Sequence, residues 1–199
     1  MRLKSSSYLC PVQNTPHINP ETGSPDPAPL QRRFIAWLLD RAVLLPLTGG
    51  LLYSIIELKS LPFAILMLLV EAIYKPIMEG LYGQTLGKKW MNILVVNQKG
   101  FGPISWNQSL LRYLPWAAVF YATVFIIVRH FQADGFMEVD SWPAYIEFGR
   151  KHPLGENLII AMINYLPLFS VMWVISDPMK RALHDRVAGT VVLKSLESA

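Results

Sequence analysis

Four long apolar runs, residues 34–56, 61–82, 110–128 and 158–175, limit what this chain can fold into more than any other feature of it. Each is about 18 to 23 residues, and at about 1.5 Å of rise per residue that is the helix length needed to cross about 30 Å of hydrocarbon. Lipid offers no hydrogen bonds to backbone N–H and C=O groups, so a spanning run must satisfy them internally, which a helix does. The composition agrees, with 52% hydrophobic and only 16% charged residues and a mean hydropathy of +0.32. The sequence predicts an all-α polytopic membrane protein with four transmembrane helices.

The connections differ in character. Residues 57–60 form a tight link, so the first two spans should be antiparallel neighbours. The middle loop holds a β-rich run at residues 90–96 and a turn-like NQKGFG, and a second β-rich run follows Gly189 at residues 190–194. These predict two or three short strands paired as a hairpin or small sheet on one membrane face. The loop 129–156 interleaves acids with Phe131, Phe136, Trp142, Tyr145 and Phe148, as suits an interfacial anchor, and Ser141 before Trp142 and Pro143 can open a short amphipathic helix.

The N-terminal residues 1–30, rich in Ser, Pro, Thr and Asn, read as a disordered tail, followed by a membrane domain over 31–195 and a short tail over 196–199. MRLKSSSYL lacks the apolar stretch of a signal peptide, so the first span is expected to act as the targeting signal. Cys10, the single cysteine, excludes an intrachain disulfide or a cysteine zinc site.

Lys and Arg are distributed unevenly. Arg2, Lys4, Arg32, Arg33, Lys88, Lys89, Lys99, Arg112, Lys180, Arg181, Arg186 and Lys194 fall before span one, around the middle loop or after span four; Lys59, Arg129, Arg150 and Lys151 lie in the other two loops. Twelve against four predicts both termini and the middle loop in the cytoplasm, with the chain in the cell (inner) membrane. The net charge of +4 then implies anionic lipid head groups as a partner and no nucleic acid. His17, His130, His152 and His184 are scattered, HExxH is missing, and the His184–Asp185 pair has no nucleophile beside it. No metal, cofactor or enzymatic chemistry is expected.

Charges inside the spans are the functional candidates, because each is costly there. Arg33 and Asp40 are seven residues apart on nearly one helix face, about 10 Å apart along the axis, so each needs a partner elsewhere. Ala36 between them permits close helix approach. Arg41 projects away toward Trp37 and reads as packing. Glu71, Lys75 and Glu79 recur every fourth residue and are expected to neutralise one another. Pro46, Pro76, Pro115 and Pro167 predict irregular spans, with Pro76 freeing the Ala72 carbonyl. GQTLGKK lacks the spacing of a phosphate-binding loop and reads as a tight turn at the membrane surface.

At these residues the chain resembles the RDD family of integral membrane proteins. Arg33 fits the family's arginine at the start of the first helix, Asp40 its aspartate within that helix, and Asp185 in ALHDRVAGTVV its second aspartate. Gly83, Thr85, Gly87 and Lys88 fit a Gly-x-Thr-x-Gly-Lys motif leading into the β run at 93–96. The resemblance covers roughly residues 30–195 and implies transport, with sodium/proton antiport associated with some members. The four spans and long acidic loop depart from a core pattern described around fewer spans.

Two functions are expected from these features. In one, Asp40 binds a cation or proton and Glu71, Lys75 and Glu79 line the route of an ion or small solute. In the other, Arg33, Asp40 and Asp185 lock helices to the small sheet of a non-catalytic scaffold or accessory subunit, Asp185 pairing with Arg33 and Lys88. Four spans are cramped for a complete pathway, so a homo-oligomer is expected.

Overall fold

The computed structural model describes residues 16, 17 and 25–195; Cys10, most of the N-terminal tail and the tail 196–199 lie outside them. The elements run α1 (Leu30–Ile56), α2 (Leu61–Tyr82), α3 (Leu86–Trp90), β1 (Ile93–Asn97), α4 (Trp106–Phe131), α5 (Trp142–Lys151), α6 (Leu158–Met172), α7 (Leu183–Val187) and β2 (Thr190–Lys194). Four helices are long and apolar enough to cross a membrane: α1, α2, α4, and α6 with the 3-10 turn Trp173–Ile175 that continues it. They pack in the order α1–α2–α4–α6.

The spans expose their large apolar side chains outward. Leu45, Tyr121, Leu158, Phe169 and Ile175 are each more than 60% exposed, an arrangement that suits lipid rather than water. Pro46 lies within α1 without ending it.

Two spans extend beyond their apolar runs. α1 starts at Leu30, after Pro29. α4 starts at Trp106 because Ser105 and Gln108 form a reciprocal capping box, the Gln108 N–H donating to Ser105 Oγ at 3.3 Å and the Ser105 N–H to Gln108 Oε1 at 3.0 Å. Arg112, counted as a loop residue from the sequence, therefore lies inside α4 and is buried.

β1 and β2 pair antiparallel, with Val95 opposite Val192 and Leu94 opposite Leu193. A two-stranded ribbon alone is marginal in water; this one is covered on both faces. Ile93, Val95 and Val192 pack with Ala28, Ala36 and Ile104, while Leu94, Val96, Val191 and Leu193 pack with Phe101 and Met179. The period-2 alternation of the strands thus sends one set of side chains toward α1 and the other away from it.

Residues at the end of the expected disordered tail have a place in this layer. The Ala28 N–H donates to the Val192 carbonyl at 2.9 Å, the Lys194 N–H to the Asp26 carbonyl at 3.0 Å and the His17 N–H to the Lys194 carbonyl at 2.8 Å, so these residues occupy the free edge of β2. The Lys194 ammonium also pairs with Asp26 at 2.7 Å. The sequence shows too few apolar residues here to announce this, because backbone groups make most of the contacts.

At the opposite end, Phe136 is fully buried among Ile55, Ala64, Leu68 and Ile127, with Tyr145 and Phe148 of α5 packed on the cluster. His130 Nδ1 meets the Tyr145 hydroxyl at 3.1 Å. Lys59 donates to the carbonyls of Phe136 and Val139, tying the α1–α2 turn to this loop. α5 begins after Ser141 with Pro143 in its first turn, but the Ser141 side chain makes no capping bond. Trp142 and Ile146 remain exposed.

Ile93 is fully buried in the sheet layer, whereas Leu168 points outward from α6 at 58% exposure. Ile93→Ala should destabilise the detergent-solubilised protein by about 2–5 kcal/mol through lost burial and the cavity left behind. Leu168→Ala should leave the denaturation midpoint nearly unchanged.

Candidate functional site

The glycine-containing segment after α2 is built as follows. Gly83 ends α2 with φ +69°, a left-handed conformation that a Cβ disfavours. Thr85 then caps α3, its hydroxyl oxygen accepting from the Lys88 N–H at 3.4 Å. Gly87 sits where any Cβ would strike the Ala36 carbonyl and approach the Asp40 nitrogen of α1. The segment is one turn of helix seated backbone to backbone against the first span, not a free surface turn.

Asp40 holds it there. Its Oδ1 accepts from the Tyr74 hydroxyl at 2.9 Å and the Gly87 N–H at 2.8 Å, and its Oδ2 from the Thr85 hydroxyl at 2.6 Å. The Tyr74 oxygen accepts in turn from the Leu86 N–H at 3.1 Å. Three donors surround a carboxylate inside a span, which offsets its desolvation.

Beside this seat lies an ionic network that is nearly sealed from solvent. Arg112 of α4 donates through Nε to Glu79 Oε2 at 2.8 Å, and through one terminal nitrogen to Asp185 and to the Thr190 hydroxyl, the latter at 2.7 Å. Glu79 also pairs with Lys88. Arg33 donates to Asp185 Oδ2 at 3.0 Å, to the Ala28 carbonyl at 3.1 Å and to the Val192 carbonyl at 3.3 Å. Asp185 closes the first turn of its own helix by accepting from the Ala182 N–H at 3.0 Å. Glu79, Arg112 and Asp185 are at most 1% exposed.

Asp185 therefore pairs with Arg33 and Arg112, while Lys88, expected beside it, goes to Glu79. Glu71, Lys75 and Glu79, expected to neutralise one another, form no direct ion pair among themselves. Glu71 pairs with Arg41 at 2.5 Å, Glu79 joins the Arg112 network, and Lys75 places its ammonium over the Trp116 ring at 3.0 Å from the centroid. Cross-helix partners prevail because α1, α3 and α4 present stronger and closer donors than the same helix does. Arg41 does reach Trp37, 5.9 Å from its ring, but carries an ion pair as well as packing.

His184 connects α7 to α6. The His184 N–H donates to Ser170 Oγ at 3.1 Å, and that hydroxyl meets His184 Nδ1 at 2.7 Å. The hydroxyl thus donates to Nδ1 and leaves the proton on Nε2, which faces Asp185 Oδ1 at 3.4 Å. Burial drives the imidazole down to about 3, and Arg112 and Lys75 push the same way against Asp185 and Glu79. The Asp185 carboxyl, although burial opposes its charge, is held well below the usual carboxylate range by Arg112, His184 and Arg33. In the approach to α7, the bidentate bond from Arg181 lowers Asp177.

Between the spans and this network opens a cavity of about 270 Å³, bordered by Trp37, Glu71, Lys75, Tyr113, Trp116 and Thr123, with Asp40 and Asp185 also reaching its wall. Among the described residues no cluster of His, Cys, Asp and Glu is arranged to hold a metal. Sequence reasoning missed Arg112, Tyr74, Trp116 and Thr190. Arg112 was recoverable as a charge inside the 110–128 run itself, and the Ser105–Gln108 capping signature places it deeper in the helix; nothing in the one-dimensional pattern marks the other three.

Two outcomes follow from this geometry. Gly87→Ala should destabilise the fold by more than 1 kcal/mol despite alanine's better helix propensity, because α1 backbone blocks the Cβ, while Gly49→Ala, with open space around it, should stabilise by up to about 1 kcal/mol. His184 has a lowered pKa in the folded state, so between about 6.5 and 3 the unfolded chain binds the extra proton and stability falls as pH falls. The slope reaches about 1.4 kcal/mol per pH unit. Denaturation midpoints of wild type and His184→Gln between pH 6.5 and 4.5 should fall more steeply in wild type than in the variant.

The sequence profile of the RDD family matches residues 27–189, spanning Arg33, Asp40, the Gly83–Lys88 segment and Asp185. No curated protein and no solved structure matches the chain. This integral membrane protein belongs to the RDD family.

Proposed function

We propose that this chain carries a small solute or ion across the cell membrane by way of the cavity between its spans. The observation behind this reading is a space of about 270 Å³ at the level of apolar helices, bordered by ionisable side chains as well as apolar ones. Charged groups kept inside a span are costly, and a cavity that retains them is a solute route by physical expectation.

In this reading the centre of that route lies at Glu71 and Lys75 and not at Asp40. Asp40 already accepts three protein donors and serves this reading as a positioning residue that seats α3. Glu71 and Lys75, on the wall of the cavity, are the groups that meet the solute. Exchange against a proton or sodium ion would involve Glu71, whose partner Arg41 is 45% exposed and can swing away.

A scaffold reading rests on a different observation: the three signature residues Arg33, Asp40 and Asp185 all have protein partners. Proteoliposomes carrying an internal pH dye, challenged with sodium, potassium and organic-anion gradients, separate the two. Solute-dependent proton movement in wild type should be lost in Ala72→Phe, which fills the cavity, with folded yield preserved. No movement under any gradient in wild type would favour the scaffold.

The end that carries β1, β2, α3 and α7 faces the cytoplasm in this reading, since most loop Lys and Arg lie there. A reporter fused after the C-terminus that is active only in the cytoplasm should be active.

A further inference from the structure

We infer that the solute of this cavity is a small organic monoanion with an aromatic or apolar body, its carboxylate held by Lys75. The inference rests on the transport reading and specifies its substrate class.

Charge supports it first. The cavity and the network beside it hold five cationic side chains, Arg33, Arg41, Lys75, Lys88 and Arg112, against four carboxylates, Asp40, Glu71, Glu79 and Asp185. Four of the cations have ion pairs. Lys75 is the one without a carboxylate partner among the described residues, and its ammonium rests on the face of Trp116. A cation–π contact is weaker than an ion pair withdrawn from water, so an entering monoanion gains a charge-assisted bond and brings the group to neutrality. A cation entering the same space would add to the excess.

The walls support it second. Trp37, Trp116 and Phe120 border the cavity with Leu44, Val119 and Val174, surfaces suited to a ring or short hydrocarbon body. At about 270 Å³ the space lies near the small end of ligand pockets, which start at about 300 Å³. It suits one compact molecule. Lys75 stands between this apolar wall and the charged end, so a carboxylate would sit at the ammonium with its body along the aromatic side chains.

The test uses the full chain in phosphatidylcholine nanodiscs, with equilibrium binding of benzoate, neutral benzamide and cationic benzylamine. Benzoate should bind saturably, one per chain and at least tenfold more tightly than benzamide, and Lys75→Met should bring it to the benzamide level. Lys75→Glu should shift the preference to benzylamine. Equal binding of benzoate and benzamide in wild type overturns the inference without any variant, and so does unchanged benzoate binding in a folded Lys75→Met. Competitive loss of benzoate when phosphatidylglycerol is added overturns the free-solute assignment in favour of an acidic lipid. If no probe binds while Ala72→Phe still abolishes flux, the anion inference fails and the transport reading stands. If benzoate binds as expected and filling the cavity leaves flux unchanged, the ligand class stands and the transport reading fails.

Discussion

The contact on which the rest of the structure depends is the bond pair made by Arg112, one side to Glu79 of the second span and the other to Asp185 beyond the fourth. A guanidinium buried on a helix within an apolar assembly would be prohibitive alone, and it tolerates its position only with both carboxylates present. Around it gather Lys88, Arg33 and Thr190, drawn from three further segments of the chain, and His184 next to Asp185. Net stabilisation from such a network is modest, since desolvation offsets much of the attraction; removal of one member leaves the others uncompensated. Its strength is as a register lock.

The family's signature residues divide between two tasks that meet at one end of the helices. Asp40 fixes α3 to α1 through hydroxyl and amide donors, while Arg33 and Asp185 fix α1 and α7 to the sheet. Gly83 and Gly87 serve the same seat for different reasons, one supplying a left-handed turn and the other the absence of a side chain. The string of small and polar residues from Gly83 to Lys88 is therefore explained by contact geometry. The cavity alongside is what this rigid end leaves open.

Much of the architecture was legible because lipid imposes simple rules. The four spans follow from length and apolarity alone, and the two strands from short β-branched runs flanked by turns. The pairing of charges was not legible. Helical spacing suggested that Glu71, Lys75 and Glu79 would answer one another, yet Glu71 turns to α1 and Lys75 and Glu79 to α4, because spacing reports neighbours along one cylinder and says nothing of what the next presents. Arg112 was hidden for a different reason: it falls just inside the 110–128 run and was counted with the basic residues of the neighbouring loop, so its need for a buried partner went unnoticed. The stretch before α1 was obscured because strand-edge pairing is made by backbone, which composition does not encode.

The distance along the chain between the partners of the central lock has a consequence for synthesis. Arg112 precedes Asp185 by 73 residues, and β1 precedes β2 by a longer interval still. While the chain is being made, Glu79 and Arg112 are already in the bilayer while the second carboxylate and the strand that covers it have yet to emerge. The nascent protein passes through a stage with an unbalanced guanidinium and an open strand edge, and the arrival of α7 and β2 ends it. Lesions in α7 or β2 would prolong that stage, so they should be met by degradation out of proportion to the small share of the folded mass that these two elements make up.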